Sequence, residues 1–135
     1  MNIKKAIVTG GAGFIGSNLV DKLINMGVEV HIIDDLSTGF KKNINPKAIF
    51  HKMDISEIDS KHNYYEFKNT DVIFHCAALA RVQPSIEDPI SFDKINIGGT
   101  LRLLKLAHDL KIKRFVYSAS SSCYGNNKNF PTPET

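Results

Sequence analysis

The sequence contains few cysteines, no long apolar run and no cluster of like charge. Its two cysteines, Cys76 and Cys123, form no metal-ligand pattern, so we expect free thiols and neither a disulfide framework nor a metal site. No apolar run approaches the length of a membrane span, and glycines interrupt the N-terminal apolar segment that a secretion signal would need. The net charge of +3 is dispersed, unlike the basic runs that contact nucleic acid. We therefore expect a cytoplasmic protein that binds neither nucleic acid nor membranes.

The composition is that of an ordinary globular domain, with 42% hydrophobic and 23% charged residues. A chain of 135 residues can bury the core of one domain but has no room for a second lobe. It contains no internal repeat and no low-complexity tract. We therefore expect residues 1–135 to form one domain.

Short apolar segments alternate with helical patterns along the chain. Strands are predicted at residues 6–8, 28–34, 48–51, 72–76 and 115–117. The first is apolar throughout, as in strands that are buried on both faces of a parallel sheet. This alternation predicts an α/β fold with an open, doubly wound parallel sheet, most simply in the order 3-2-1-4-5. Such sheets bind ligands at the carboxyl ends of their strands.

Two helices are predicted from apolar residues at helical spacing. The first follows the initial glycines and ends near Gly27, with an apolar face made of Ile15, Leu19, Leu23 and Met26. The second begins with Asp88 as its cap and Pro89 at its first position, and runs to about Leu110. Its expected sheet-facing stripe is Ile97, Leu101 and Leu104, widened by Leu103, Leu106 and Leu110. The polar stretch over 54–68 gives only a weak helical signal.

Three glycines stand between the first predicted strand and the first predicted helix. Gly10, Gly13 and Gly16 have the spacing G-x-x-G-x-x-G. Glycine permits a tight turn at the first position, approach of a diphosphate at the second and close packing of helix on strand at the third. The amide groups at the helix N-terminus would then face the anion. The alternative is a glycine-rich turn without a ligand, but the flanking strand and helix favour a dinucleotide-binding loop.

Asp34 ends the second predicted strand, about twenty residues after the glycine loop. A carboxylate at this position can accept hydrogen bonds from a ribose diol and repels a 2′-phosphate, so we expect NAD as cofactor in preference to NADP. Asp35 is a better candidate for a turn aspartate that binds its own backbone. Lys41 and Lys42 could hold a 2′-phosphate, but they follow too late in the loop to change this preference.

Five segments, taken in order, carry a specific family resemblance. They are TGGAGFIG at 9–16, DDLSTG at 34–39, HCAALA at 75–80, NIGGT at 96–100 and SSSCYG at 120–125. Together they resemble the extended short-chain dehydrogenases/reductases, and among these the NAD-dependent epimerases and dehydratases of nucleotide sugars. The resemblance spans the whole chain. It implies a Rossmann-type NAD-binding domain that is truncated after about the fifth strand, with the C-terminal substrate domain absent.

The resemblance also assigns binding residues. Around the diphosphate, the adenosine ribose and the adenine it places Gly10, Gly13, Phe14, Ile15, Gly16, Asp34, Asp35, Leu36, Ser37, Thr38, Gly39, Asp54 and Ile55. On the nicotinamide side it places Cys76, Ala77, Ala78, Leu79 and Ala80, with Asn96 holding the backbone near the cofactor. Arg81 and Val82 fall where the family meets its substrate, although a solvated arginine is the commoner case. Ala77 and Ala78 would equally suit plain core positions.

Ser120 matches the family's catalytic serine or threonine. The dehydratases that this chain resembles carry an Asp-Glu pair directly afterwards, and here those positions hold Ser121 and Ser122. Loss of water from a keto sugar needs a general acid and a base, which unactivated serines supply poorly. The resemblance therefore implies epimerisation of a nucleotide sugar, of the UDP-hexose 4-epimerase type, through a 4-keto intermediate.

The family's catalytic tyrosine and lysine would lie on a helix beyond the fifth strand, outside this chain. Tyr124 and Lys128 match Y-x-x-x-K, but Gly125 and its neighbours disfavour a helix that would bring both side chains to one face. We therefore expect the isolated chain to be inactive. A sheet edge and face left bare by truncation would also promote self-association or homo-oligomers.

Two other functions remain open on sequence grounds. The chain could be a non-catalytic module that senses or sequesters NAD, or it could belong to another nucleotide-sugar-modifying enzyme, a dehydratase or reductase. A structural α/β domain without a ligand is a third reading, which the absence of any NADH titration signal would support. The identity of the sugar is not encoded in these residues, because the substrate region lies elsewhere.

Overall fold

The computed structural model describes residues 3–59, 65–126 and 128–134. Its centre is a sheet of five strands: β1 (Lys5–Thr9), β2 (Glu29–Asp34), β3 (Ile49–Lys52), β4 (Val72–His75) and β5 (Arg114–Tyr117). All neighbouring strands pair in parallel, in the order β3-β2-β1-β4-β5. The predicted fold class and strand order are therefore confirmed.

The helices connect these strands on both faces of the sheet. They are α1 (Phe14–Asn25), α2 (Val82–Glu87), α3 (Pro89–Phe92), the π-helical segment Asp93–Gly99 and α4 (Thr100–Asp109). Asp88 accepts a hydrogen bond from the Ser91 amide and Pro89 begins α3, as predicted. Single 3₁₀ turns occur at Lys41–Asn43, Ile55–Glu57 and Ser121–Tyr124.

Two apolar clusters fill the space between the sheet and its helices. Because side chains alternate along a strand, β1 sends Ala6 and Val8 to one face and Ile7 to the other. The first face packs against Val20 and Leu23 of α1. The second packs against α4 and the loop after β3, in a cluster that includes Ile33, Ile55, Phe67, Ile73, Leu103 and Leu106. The two clusters therefore hold the strands of the sheet in place from both faces.

The expected stripes on both helices need correction. In the long helix, Leu103 and Leu106 of α4 are buried and Leu110 packs beside them, whereas Leu101 and Leu104 of α4 and Ile97 of the π-helical segment are exposed to solvent. Leucines lie on most sides of this helix, so spacing alone did not identify the side that meets the sheet. On α1, Val20 and Leu23 are buried, while Ile15 and Met26 at the two ends are exposed.

Two further segments differ from the sequence prediction. Within the polar stretch 54–68, the structure has the 3₁₀ turn Ile55–Glu57 and a turn from residue 65, while residues 60–64 lie outside the described part. Helix α2 and the π-helical segment were not predicted, because each is too short to establish a period of its own.

Candidate functional site

An open cavity of about 550 Å³ lies at the carboxyl ends of β1, β2 and β4. That volume includes space open to solvent at the mouth of the cavity. It is lined by Gly10, Gly13, Ile33, Asp34, Asp35, Ser37, Thr38, Met53, Asp54, Ile55, Cys76, Ala77, Ala78, Leu79 and Ile95. Carboxyl ends of parallel strands are where doubly wound sheets bind ligands, so this cavity is the candidate site.

The glycine loop between β1 and α1 has room for backbone only. Gly10 has a φ of +69°, and a Cβ there would lie 2.7 Å from the Ala77 amide nitrogen. A Cβ on Gly16 would collide with the Gly10 carbonyl, so α1 begins directly against the loop. Gly13 lines the cavity, and a Cβ on it would lie 3.2 Å from the same carbonyl oxygen. The loop therefore presents main chain, without side chains, to the cavity.

The N-terminus of α1 opens beside this loop. Gly13 is its N-cap, no side chain caps it, and its first turn carries no acidic residue. Phe14 and Ile15, the first residues of the helix, are exposed rather than packed in the core. Within residues 3–59, 65–126 and 128–134, the lining of the cavity includes no lysine or arginine. An anion in this part of the cavity would therefore be held by amide groups and the positive end of the helix dipole.

Asp34 lies beside the glycine loop, at the end of β2. Its side chain is largely buried, with Oδ2 accepting from the Ala12 amide at 3.0 Å and Oδ1 from the Leu36 amide at 2.8 Å. These two bonds fix the carboxylate in one orientation. Each carboxylate oxygen has a further lone pair, so the group can still accept hydrogen bonds from a ligand hydroxyl.

The loop after β2 is held by its own side chains. Asp35 accepts hydrogen bonds from the backbone amide and the hydroxyl of Ser37, at 2.8 and 2.6 Å, as expected for a turn aspartate. Gly39 passes so close to the glycine loop that a Cβ on it would lie 2.8 Å from the Ala12 methyl. The loop therefore packs directly against the segment that precedes α1.

The wall after β3 is mixed polar and apolar. Asp54 caps the turn Ile55–Glu57 by accepting from the Ser56 amide at 2.7 Å. Met53 and Ile55 supply apolar surface beside it, as Ile33 and Ile95 do from β2 and the π-helical segment. Apolar side chains with a carboxylate beside them suit a heteroaromatic base.

The segment after β4 forms the remaining wall. Cys76, Ala77, Ala78 and Leu79 line the cavity there. Asn96, in the π-helical segment, grips this wall: its side chain accepts from the Leu79 amide and donates to the Leu79 carbonyl, both at 2.9 Å. Asn96 is therefore a clamp on the cavity wall and does not line the cavity itself.

Several residues expected at the site lie outside the lining. Ala80, Arg81 and Val82 are exposed at the start of α2, and Leu36 is not part of the lining. Ser120 follows β5, where its hydroxyl accepts from the Ser122 amide at 3.2 Å. Tyr124 ends a 3₁₀ turn and Gly125 has a φ of +61°, so no helix carries Tyr124 and Lys128 together.

Two sets of residues near the cavity were missed by sequence reasoning. Ile33, Met53 and Ile95 line it as ordinary apolar residues, and no motif distinguishes them from core positions. Behind the wall, His75 lies between the hydroxyls of Thr9 and Thr100. Both threonines and the histidine belong to the quoted segments, but their contact joins parts of the chain that are distant in sequence.

The described residues offer neither a metal-holding cluster nor a membrane-spanning helix. No group of three or more histidine, cysteine, aspartate or glutamate side chains in those residues is arranged to hold a metal ion. Over the same ranges, none of the helices has the length and apolarity that a membrane crossing requires.

Comparison with known proteins gives consistent matches. A UDP-glucose 4-epimerase from Lacticaseibacillus casei is 36% identical over 128 residues, covering 95% of this chain and 39% of that protein. The crystal structure of a UDP-glucose 4-epimerase from Thermotoga maritima with UDP-glucose is 40% identical, with a TM-score of 0.89 over 96% of this chain and 43% of that one. A Thermus thermophilus UDP-glucose 4-epimerase in complex with NAD is 29% identical, with a TM-score of 0.77 over 96% of this chain and 43% of that one.

The chain thus spans about two fifths of the length of the relatives it matches. The model of the NAD dependent epimerase/dehydratase family matches residues 6–135, nearly the entire chain. NAD, the cofactor in that description, is also the one expected from Asp34. By sequence and by fold, the chain belongs to the NAD dependent epimerase/dehydratase family.

Proposed function

We propose that this chain binds NAD in the cavity at the carboxyl ends of β1, β2 and β4. The observation that carries the proposal is the pairing of two glycines that line the cavity, Gly10 and Gly13, with the fixed carboxylate of Asp34 beside them in the same cavity. The loop and the N-terminus of α1 would hold the diphosphate. Asp34 would accept from the adenosine ribose hydroxyls, and the apolar surface beside Asp54 and Ile55 would hold the adenine.

The charges of the cavity support NAD over NADP. Three carboxylates line it, those of Asp34, Asp35 and Asp54, and none of the described lining residues is basic. A 2′-phosphate would add about two negative charges next to Asp34, with no cation among the described lining residues to compensate. NAD places neutral hydroxyls there instead.

Calorimetric titration of NAD into the chain tests this proposal. We expect saturable binding of one NAD, and weaker binding of NADP. Asp34→Asn should lower the affinity for NAD about tenfold to a hundredfold, because one charge-assisted acceptor for the ribose is lost. Gly13→Val should abolish binding, because its side chain would occupy the position of the diphosphate.

A matched control exists at the other end of the sheet. Asp71 also accepts two backbone hydrogen bonds, from the amides of Lys4 at 2.7 Å and Lys5 at 3.0 Å, but it lies outside the cavity. Asp71→Asn should therefore cost stability without changing the affinity for NAD. Equal NAD affinity of the Asp34→Asn and Asp71→Asn variants, or no binding by the unmodified chain, would refute the proposal.

We also propose that the chain is the NAD-binding domain of a nucleotide-sugar epimerase that acts on a UDP-hexose through a 4-keto intermediate. Bound NAD would supply reversible oxidation of the sugar hydroxyl at C4. Ser120 would donate its hydroxyl proton to a sugar oxygen, because its present bond to the Ser122 amide uses only its acceptor capacity. The epimerase names of the matched relatives support this activity for the whole protein.

The chain alone should not catalyse epimerisation. Tyr124 and Lys128 share no helix, so they cannot replace the acid-base pair that the family carries further along. Incubation of the chain with NAD and UDP-glucose, followed by chromatography of the sugar nucleotides, should show no conversion. Conversion by the chain that is lost in Tyr124→Phe would overturn this assignment.

Self-association is the remaining proposal. Val116 and Tyr117 on the edge strand β5 are about half exposed, and Ile97, Leu101 and Leu104 form an apolar stripe on the neighbouring helix. Apolar surface beside an unpaired strand edge favours contact with another copy. Sedimentation at rising concentration should show dimers or larger species, and a monomer throughout would contradict it.

A further inference from the structure

Four hydrogen bonds run in series behind the cavity wall. The Ala77 amide donates to Thr9 Oγ1 at 3.2 Å, and Thr9 Oγ1 lies 2.7 Å from Nδ1 of His75. On the other side of the ring, His75 Nε2 lies 2.9 Å from Thr100 Oγ1, and the Thr100 hydroxyl donates to the Asn96 carbonyl at 2.6 Å. The series thus joins β1, β4, the segment after β4 and the long helix.

The donors and acceptors in this series fix the state of the ring. A carbonyl only accepts, so the Thr100 hydroxyl donates its one proton to the Asn96 carbonyl. Thr100 must therefore accept from His75 Nε2–H. Thr9 accepts from the Ala77 amide, and its own proton is free to point at Nδ1. In a neutral ring, whose single proton is on Nε2, Nδ1 carries none and accepts from Thr9, so all four bonds form together.

Burial supports this neutral state. His75 is only 1% exposed, and burial lowers its pKa to about 4. Phe115 and Tyr117 of β5 cover the ring, with the Tyr117 ring stacked at 5.1 Å between centroids. The ring is thus held by two hydroxyls in its plane and by aromatic rings against its face and edge.

Both ends of the series act on the cavity wall. At one end Ala77 lines the cavity and gives its amide to Thr9. At the other end, the Asn96 backbone carbonyl accepts a hydrogen bond from the Thr100 hydroxyl. The Asn96 side chain binds Leu79, which also lines the cavity. The wall is therefore fixed at two points two residues apart, and the histidine connects the groups that fix them.

We propose that His75 is a positioning residue: as the Nε2–H tautomer between Thr9 and Thr100, it holds the wall at Ala77 and Leu79 in the conformation that receives the nicotinamide half of NAD. The inference rests on the proposed NAD site. His75 would act by holding the cavity wall in place and would not touch the cofactor, since it does not line the cavity.

Paired threonine variants distinguish positioning from packing. Thr100→Val keeps the shape and removes the hydroxyl, whereas Thr100→Ser keeps the hydroxyl and removes a methyl group. If the hydrogen-bond series positions the wall, NAD affinity should fall about tenfold in Thr100→Val and stay within about twofold of the unmodified chain in Thr100→Ser. If Thr100 only fills space, Ser should be the more damaging substitution.

Nitrogen NMR of the imidazole supplies a readout that packing alone would not move. We expect the Nε2–H tautomer of His75 at neutral pH in the unmodified chain and in Thr100→Ser. In Thr100→Val the Nε2 resonance should shift, because that proton loses its acceptor. A charged ring or an Nδ1–H tautomer at neutral pH in the unmodified chain would overturn the inference.

The outcomes separate this inference from the proposed function. If the unmodified chain binds no NAD, the proposed function fails, while the tautomer measurement still tests the series. If it binds NAD and Thr100→Val binds equally well, the positioning role fails. Should Thr100→Val not fold, Thr9→Val and Thr9→Ser make the same comparison at the other hydroxyl, where Val would also leave the Ala77 amide without its acceptor.

Discussion

The sheet contains two histidine sites with partners of different kinds. His75 in β4 lies between the hydroxyls of Thr9 and Thr100, beside the cavity. His31 in β2 and His51 in β3 form a pair near the other edge, with His31 Nδ1 2.9 Å from His51 Nε2 and the rings nearly parallel. His31 and His75 are each almost fully buried. The two histidines are therefore buried to a similar degree and differ in their hydrogen-bond partners.

The pair lies between two carboxylates. Glu29 Oε1 lies 2.9 Å from His31 Nε2, and Glu66 Oε2 lies 3.2 Å from His51 Nδ1. Carboxylates only accept, so each outer nitrogen donates to its glutamate. Each ring of the pair therefore has a carboxylate as its outer partner, whereas both partners of His75 are hydroxyls.

The causes of the pKa shifts differ between the two sites. At His51 burial and the charge of His31 lower the pKa, while Glu66 opposes them. The hydrogen bond to His31 is the main reason that the pKa of Glu29 lies below its usual value. At His75 only burial acts, with no carboxylate to oppose it. Burial therefore lowers the pKa of both His51 and His75, and only at His51 does a carboxylate oppose that shift.

Opening the histidine pair to water should produce the largest effect. Phe67 is fully buried and meets both rings edge-on, at 5.0 Å from His51 and 5.9 Å from His31. Phe67→Ala should lower the free energy of unfolding by about 3–5 kcal/mol. It should also raise the pKa of His51 toward its ordinary value, because burial is the largest cause of its depression. Urea unfolding and NMR titration measure the two effects.

Tyr65 offers the matched control, because it is an aromatic residue two positions away that is 81% exposed. Tyr65→Ala should change stability by no more than about 0.5 kcal/mol. Similar losses in the two variants would mean that Phe67 does not cover the pair.

Lowering the pH should charge His75 at the expense of the fold. Its pKa is about 4 when folded and 6.5 as the ordinary value, so between these pH values the unfolded chain binds more protons. Stability should therefore fall as pH falls through this window, by about 3 kcal/mol in full and about 2 kcal/mol between pH 7 and pH 5. His75→Gln should remove that part of the pH dependence.

Measurement between pH 7 and pH 5 avoids most carboxylate titration. Glu29, Asp71 and Asp88 have lowered pKa values and destabilise the fold mainly at lower pH, when they become protonated. His51 adds to the same slope in both proteins and cancels from the difference. An unchanged slope in His75→Gln would contradict the assignment of the effect to this ring.

Removing one of the two carboxylates that flank the histidine pair should have the smallest effect on stability. The Glu66 side chain is 61% exposed, so Glu66→Gln should cost less than about 1 kcal/mol. The pKa of His51 should nevertheless fall further, because the charge of Glu66 raises it. Proton NMR titration of His51 reports the shift, and Glu57→Gln, an exposed change elsewhere in the same loop region, should leave it unchanged.

Much of the fold was predictable because local patterns determine it. The alternation of apolar strands and helical segments predicted five parallel strands in the observed order, and Asp88 with Pro89 predicted the start of the long helix. The buried side of that helix was not predictable from Leu101 and Leu104, since leucines occupy several of its faces. Which face is buried depends on the sheet, which spacing within one helix does not contain.

The candidate site, too, was predictable from the sequence only in part. The glycine loop and Asp34 were identified from spacing, because a turn that excludes Cβ atoms leaves a local signature. The series through Thr9, His75 and Thr100 left none, since its members meet only when β1, β4 and α4 come together. Contacts of this kind depend on the tertiary fold, and a single sequence gives no signal for them.

The π-helical segment Asp93–Gly99 separates the long helix into two registers. A π turn holds more residues than an α turn, so the part before it is rotated relative to an uninterrupted helix. Asn96 binds Leu79 from within this segment, while Leu103 and Leu106 enter the core from α4, which follows it. Insertion or loss of one residue in the wide turn would rotate Asn96 away from Leu79 and leave the core side of α4 in place. The length of this turn therefore sets the contact with the cavity wall separately from the core packing of α4.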